Sequence, residues 1–357
     1  MSLEDLRTQI DAIDREIIER LNQRVLLASK IGKIKTALGA DAYVPVREEG
    51  VFRKLELIQT EGHLDSRAIR SIYREIISAS IALEKPLVIG YLGPEATFTQ
   101  QAALKNFGSS VDYNPCNSIA DVFHQVEKGE ADYGVVPVEN STEGAVFHSL
   151  DMLAETELKI TAQVYLPIEH CLLSLQPLES IHEVHSKDQA LGQCRRWLRS
   201  NLPSAILHDC SSTAHAVEIA KKKDGSAAIA SSLAGEIYEV PVLYRGIQDQ
   251  AENITRFLVI ARNSGPIGNG EVPQRTSIVF SLKDKIGALQ SALELFSNRG
   301  VNLCKIESRP SRLKPWDYYF FIDCIGHFEE QLISQSFSEL KDMCSVAKWL
   351  GSYPDVR

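Results

Sequence analysis

Two spacings that build metal centres are missing from this 357-residue sequence. No two of its seven cysteines form a C-x-x-C pair, and no two of its nine histidines form an H-x-x-x-H pair. His182 and His185 lie close together, but their segment offers no acidic or thiol ligand at metal spacing, so no metal is expected. Cys116, Cys171, Cys194, Cys210, Cys304, Cys324 and Cys344 are odd in number and widely spaced. That reads as buried free thiols and not as a disulfide framework. No apolar run approaches the roughly 20 residues of a membrane span. The start, Met1-Ser2-Leu3-Glu4-Asp5, lacks a basic region leading into an apolar one, so a cytoplasmic protein without a membrane partner is expected. Basic blocks are lacking too. The net charge is −9, with 14 Lys/Arg against 14 Asp/Glu in residues 1–85, leaving 24 against 33 in the rest. An acidic main body argues against nucleic acid as a partner.

What is present divides into three segments. Residues 1–86 carry only helical patterns: a long first helix, a second from about Val46 to Thr60 and a third from Ser66 to Leu83, closed by Lys85-Pro86. Turns are expected at Leu38–Asp41 and Glu61–His63. Residues 87–264 alternate short apolar runs, such as Leu87–Leu92 and Tyr133–Val138, with helical patterns, the mark of α/β organisation with buried strands. Asn263–Gly270 has linker composition. Residues 274–353 read β-α-β-β-α-β, the small split-βαβ sandwich, with strands near 276–282, 301–309, 317–325 and 345–350.

The first helix carries an apolar stripe, Ile10, Ile13, Ile17, Leu21, Ala28 and Ile31, broken by Arg24 and Lys35. Unpaired cations on an inward face are costly. Arg24 and Lys35 stand about 16 Å apart along the axis, leaving room for a small anion between them. Arg7 lies roughly 25 Å from Arg24, too far to share that ligand within one chain, but a bundle of two copies brings it within reach. On the third helix, Ser80 and Glu84 face the same way one turn apart. A carboxyl at the margin of an apolar face has its pKa raised by desolvation and, once protonated, donates a hydrogen bond. A structural ion-pair network among Arg24, Lys35 and Glu84 is the alternative reading.

These residues, with Leu6-Arg7, Gly32–Lys35 and Pro45–Glu48, resemble the all-helical chorismate mutase domain. The resemblance implies a two-fold dimer in which each site borrows Arg7 from the other chain. It also implies that Arg24 grips a substrate carboxylate, Lys35 meets the ether oxygen, Glu48 meets the ring hydroxyl, and Ser80 and Glu84 lie beside the substrate. Val51 and Phe52 depart from one member type, which has Arg and Glu there.

In the middle segment, Gly93–Thr99 and Val138–Gly144 follow strands and are expected to open helices, where hydroxyls and free N–H groups favour anions or simply cap. A third string, Asn253-Ile254-Thr255-Arg256-Phe257, carries a hydroxyl and a guanidinium into a buried strand. Together these resemble the prephenate dehydratase domain, which implies two α/β lobes in a clamshell resembling periplasmic binding proteins. By resemblance Thr255 is the essential threonine, and Thr97, Glu139, Asn140, Ser141, Gln189, Arg256 and Phe257 fall in the cleft motifs, with Glu139 a possible proton relay. Ala96 replaces the usual glycine, and Lys187-Asp188 the usual His-Pro. Gly287-Ala288-Leu289 and Glu307-Ser308-Arg309-Pro310 resemble the effector motifs of the ACT regulatory domain, an α+β ferredoxin-like unit that would bind phenylalanine between paired copies.

The three resemblances in this order imply a multidomain bifunctional chorismate mutase–prephenate dehydratase under phenylalanine feedback. Such an enzyme would act on chorismate and prephenate, need no cofactor or metal, and work as a homodimer or dimer of dimers. An arogenate-preferring dehydratase and a non-catalytic amino-acid sensor are the alternatives.

Overall fold

A computed structural model describes residues 2–38, 43–58, 63–264, 272–283, 285–311 and 317–356. Residues 39–41 of the first expected turn, 59–62 around the second, and 265–270 of the expected linker lie outside the described residues.

Three helices open the chain: α1 (Leu3–Ala37), α2 (Pro45–Ile58) and α3 (Ser66–Glu84). Asp65 caps α3, its carboxylate accepting from the Ala68 N–H at 2.6 Å. Only the C-terminal half of α1 packs on α3. In the other half Ile10, Ile13 and Ile17 are 57, 56 and 49% exposed, so among the described residues the predicted inward stripe has nothing to face. The unit is anchored on the next domain through one core in which Tyr43, Phe52, Ile77 and Ile81 join Leu87, Ile89, Phe107 and Tyr133.

The middle segment forms two lobes. The first is built on β1 (Val88–Leu92), β2 (Asp112–Cys116), β3 (Tyr133–Asn140), β4 (Gly144–Ala145) and β5 (Lys159–Pro167). The second comprises β6 (Cys171–Leu173), β7 (Glu183–Ser186), β8 (Ile206–Asp209), β9 (Ser226–Ala230) and β10 (Val242–Tyr244). The chain then returns as β11 (Ile254–Ala261) to the first sheet, ordered β2-β1-β3-β11-β5 with β4 on β3, while the second sheet runs β10-β6-β9-β7-β8. Two crossings thus join the lobes, after β5 and before β11, and a cleft lies between them. Contrary to expectation, the Val138–Gly144 string does not open a helix directly: β4 pairs back on β3 first, and the helix begins at Phe147.

The last unit holds β12 (Gln274–Leu282), β13 (Leu303–Pro310), β14 (Tyr318–Ile325) and β15 (Cys344–Pro354), with helices Ala288–Ser297 and Gln331–Met343. Its sheet is antiparallel in the order β13-β14-β12-β15. It docks on the first lobe through a shared core that includes Val279, Phe321, Leu350 and Tyr353. Gly351, at φ 149°, permits this approach, since a Cβ there would fall on the Ile160 carbonyl oxygen of β5.

Candidate active sites

The helical pocket, about 230 Å³, lies among α1, α2 and α3 and is lined by Arg24, Lys35, Arg47, Glu48, Val51, Ser80 and Glu84. Arg24 Nη1 donates to Ser80 Oγ at 2.8 Å, and Ser80 donates to the Ile76 carbonyl at 2.7 Å, so the serine orients the guanidinium. Glu84 approaches so closely that a Cβ on Gly32 would sit 2.7 Å from its Cγ. Burial pushes the Glu84 carboxyl above the ordinary range, against the pull of Lys35 and Arg47, and its Oε2 is buried without a hydrogen-bond partner. A raised pKa widens the range over which this carboxyl is protonated and able to donate a hydrogen bond. Burial also raises Glu48, opposed by Arg74, whose Nη1 it meets at 2.6 Å. Arg47, in the first turn of α2, also lines this pocket, although the sequence motif around it assigns it no role. Phe52 does not face the site. It is 1% exposed in the core, with the Arg70 and Arg74 guanidinium carbons 4.5 and 4.8 Å from its ring centre. Arg7 is exposed and pairs only loosely with Glu4 at 3.7 Å.

The interlobe cleft, about 1070 Å³, is lined by Thr97, Asn140, Gln189, Thr255 and Phe257 among the expected residues. Asn140 Oδ1 accepts from the Thr142 N–H and hydroxyl at 2.9 and 2.6 Å and from the Glu143 N–H at 3.2 Å. That fixes its amide, so Nδ2 donates to Thr255 Oγ1 and Asn253 Oδ1, both at 2.8 Å. Thr255 is held as an acceptor, which leaves its O–H to donate to a cleft ligand. Gln189 bonds Glu143. The hydroxyl of Thr97 is spent as a helix cap, accepting from the Gln100 N–H and donating to the Leu92 carbonyl. Ala96 sits at φ 65°, a backbone that costs a non-glycine residue about 1 kcal/mol or more.

Three expected cleft residues lie elsewhere. Arg256 points to the opposite face of β11, only 5% exposed, where Nη1 meets Asp323 Oδ2 at 2.8 Å, Nη2 donates to Tyr353 at 2.8 Å and Nε to Gln163 at 3.0 Å. Glu139 shares that face, bound to Lys305 at 2.6 Å and 3.8 Å from Arg256, which removes it as a proton relay into the cleft. The reason is the pleat: neighbours on a strand point to opposite faces, so Asn140 and Thr255 turn inward while Glu139 and Arg256 turn toward the last domain. Ser141 links to Glu252 and Ile254 through its hydroxyl and does not line the cleft.

Beyond Gln189, sequence reading missed the second lobe's share of the wall: His170, Gln193, Ser211, Ser212, Thr213 and the His215–Glu218 pair. Only Ser211-Ser212-Thr213, another hydroxyl-rich string before a helix, gave a signal. His170 is 3% exposed, its Nε2 is 2.8 Å from Gln193 Oε1, and burial depresses its pKa against the pull of that hydrogen bond.

In the last unit Gly287, at φ 78°, starts the helix Ala288–Ser297; it is exposed, whereas Leu289 packs on the domain core. Ser308 and Pro310 are exposed on β13. Arg309 is turned away and bound bidentately to Asp151 of the first lobe, at 2.8 and 2.9 Å, over the Phe147 ring, so it serves as a tether and not as an open effector contact.

A cation-lined helical pocket and a hinged polar cleft, followed by a ferredoxin-like unit, define a two-site enzyme for small anions. A family model for chorismate mutase type II matches residues 6–85, one for prephenate dehydratase matches residues 89–265, and one for the ACT domain matches residues 276–341. The chain is 48% identical to the bifunctional chorismate mutase/prephenate dehydratase of Aquifex aeolicus, covering 99% of this chain and 98% of that one. It is 41% identical to the Pseudomonas aeruginosa protein of the same description, over 99 and 97%. Among solved structures, prephenate dehydratase from Arthrobacter aurescens, in complex with L-Phe, superposes with a TM-score of 0.70 at 32% identity, covering 76% of this chain and 92% of that one. A quorum-quenching acylase, GqqA, superposes at 0.68 with 26% identity, over 75 and 98%, so the fold alone does not assign the chemistry. The chain belongs to the bifunctional chorismate mutase/prephenate dehydratase family. It is an isomerase and a lyase in one polypeptide, acting on chorismate and prephenate in aromatic amino-acid biosynthesis. Among the described residues no helix is long and apolar enough to cross a membrane.

Proposed function

We propose that the two reactions occupy the two sites described, with the work divided among units 1–86, 87–264 and 274–353. In the helical pocket the dianionic chorismate is held compact by Arg24 and Arg47, while Lys35 and protonated Glu84 meet the charge that develops on the breaking ether oxygen. The observation that carries this reading is the buried, unpartnered Glu84 Oε2 facing a cation-lined cavity. The exposed half of α1 pairs with a second copy, delivering its Arg7 to complete the site. Chorismate turnover by mixed variants tests both the pocket and the dimer. Arg7→Ala and Arg24→Ala are each inactive alone, and mixing them restores about a quarter of wild-type activity, because half the pairs are mixed and one site in each is intact. No recovery after confirmed subunit exchange overturns the shared site.

In the cleft, Thr255 donates to the leaving hydroxyl of prephenate as water and carbon dioxide depart. With Glu139 turned away, the proton comes from the His215–Glu218 pair on the opposite wall. Thr255→Ala abolishes dehydration and spares chorismate rearrangement; near-normal prephenate turnover in that variant refutes the assignment. Phenylalanine acts as feedback inhibitor between paired ACT domains, a reading supported by the L-Phe complex of the Arthrobacter relative. Its signal passes through the Arg256–Asp323 and Glu139–Lys305 pairs onto the strands that carry Asn140 and Thr255, and through Arg309–Asp151 onto the helix Phe147–Glu155. Residence in the cytoplasm is supported by seven cysteines that are all free thiols.

A further inference from the structure

We propose that Glu183, His185 and His208, on the edge of the second lobe's sheet, form a binding site for a divalent transition-metal cation of the zinc type. Parallel pairing of β7 with β8 sets His185 opposite His208, and Glu183, two residues before His185, shares their face of the sheet. The two imidazoles stack with ring centres 4.8 Å apart and planes 13° off parallel. Each Nε2 lies 3.3 Å from Glu183 Oε2. Both Nε2 atoms are buried without a hydrogen bond, and His185 as a whole is 5% exposed. One donor atom from each residue falls within 4.8 Å of the others. Ligand atoms about 2.1 Å from a tetrahedral zinc ion stand about 3.4 Å apart, which matches both nitrogen-to-oxygen distances.

In the Nδ1–H tautomer each imidazole offers Nε2 as a lone-pair donor beside the Glu183 carboxylate, so a cation entering here meets three ligand atoms. Lys223 bonds Glu183, and an incoming metal displaces it. His208 is 41% exposed at its side chain, which gives entry to the ion and a place for water in the remaining coordination positions. The segments just beyond the two strands, Lys187–Gln189 and Ser211–Thr213, form the second lobe's wall of the cleft, so a bound ion braces the strands behind that wall. The site runs against the expectation of no metal: Glu183, which the sequence reading passed over, lies in the same segment as His185, and the third ligand, His208, joins only through strand pairing.

The test is titration of the chelator-treated, full-length protein with Zn2+ by calorimetry and with Co2+ by visible absorption. One ion per chain binds, with the weak ligand-field bands of nitrogen and oxygen donors and no thiolate charge-transfer band. His208→Ala weakens binding at least tenfold while chorismate mutase activity, whose site is in another domain, shows that the chain is folded. Lys223→Met, which removes the competing cation, tightens it. Equal binding by wild type and His208→Ala, a thiolate spectrum, or no binding at all overturns the proposal.

Discussion

Replacing Arg256 by Met and Asp323 by Leu, singly and together, measures how firmly the ACT domain grips the dehydratase strand. Arg256 and Asp323 are 5 and 6% exposed and lie 2.8 Å apart. Asp323 also accepts from Ser277 at 2.6 Å and lies 3.6 Å from Arg275. Burial alone would raise the Asp323 pKa, but Arg256 and the Ser277 hydroxyl hold it below the ordinary aspartate range. Removing one member of such a pair strands a buried charge, at a cost of about 3–5 kcal/mol. Losing Asp323 costs the most, because two arginines are left facing each other. The double variant leaves less charge stranded than the two single changes taken together, so it costs about 2–3 kcal/mol less than their sum. Urea unfolding followed by the fluorescence of Trp349, on β15 of the same domain, in a background with Trp197 and Trp316 replaced by phenylalanine, reports these values where the m-value is unchanged. The sign with pH follows from the depressed pKa. The pair's contribution is intact above the ordinary aspartate value and is lost as pH falls through the folded one. Arg256→Met also reduces the ratio of dehydratase rates without and with phenylalanine toward one. Additivity within about 0.5 kcal/mol refutes the coupling.

Mutase kcat/KM declines as pH rises above the ordinary carboxyl range, because the raised pKa of Glu84 keeps it a donor only on the acid side; Glu84→Gln flattens that profile, and an unchanged profile removes the donor role. Gly351→Ala forces a methyl group onto the Ile160 carbonyl and loosens the ACT domain from β5 at a cost of about 1–3 kcal/mol, seen as faster proteolysis between residues 262 and 274. Prephenate turnover by Asn140→Ala drops at least tenfold through misorientation of Thr255, and Asn140→Asp, which keeps the acceptor for the Thr142 and Glu143 N–H groups but loses the donor to Thr255 and Asn253, shows the same drop.

Much of the molecule was legible from residue patterns. The spacing of three and four identified the helical unit and put Arg24 with Lys35 on one helix face and Ser80 with Glu84 on another, while the family resemblance joined the two pairs in one site. Short apolar runs gave the alternating α/β segment, and motif strings located Asn140, Gln189 and Thr255. The exposed Ile10–Ile13–Ile17 stripe was legible as an inward face, although none of the described residues covers it. Strand alternation was also there to be read at Glu139-Asn140 and Thr255-Arg256, and applying it would have separated the cleft residues from their neighbours.

By itself, then, the sequence determined which elements form, their order and the chemical inventory each carries, because helix and strand periods and turn residues are local properties. Only the tertiary structure decided which face of β3 and β11 looks into the cleft and which is bound to the ACT domain, since a strand's two faces differ by what packs on them. The same holds for His208, which reaches His185 solely through the register of two parallel strands, and for the second lobe's wall, whose residues come together only when the chain crosses between lobes.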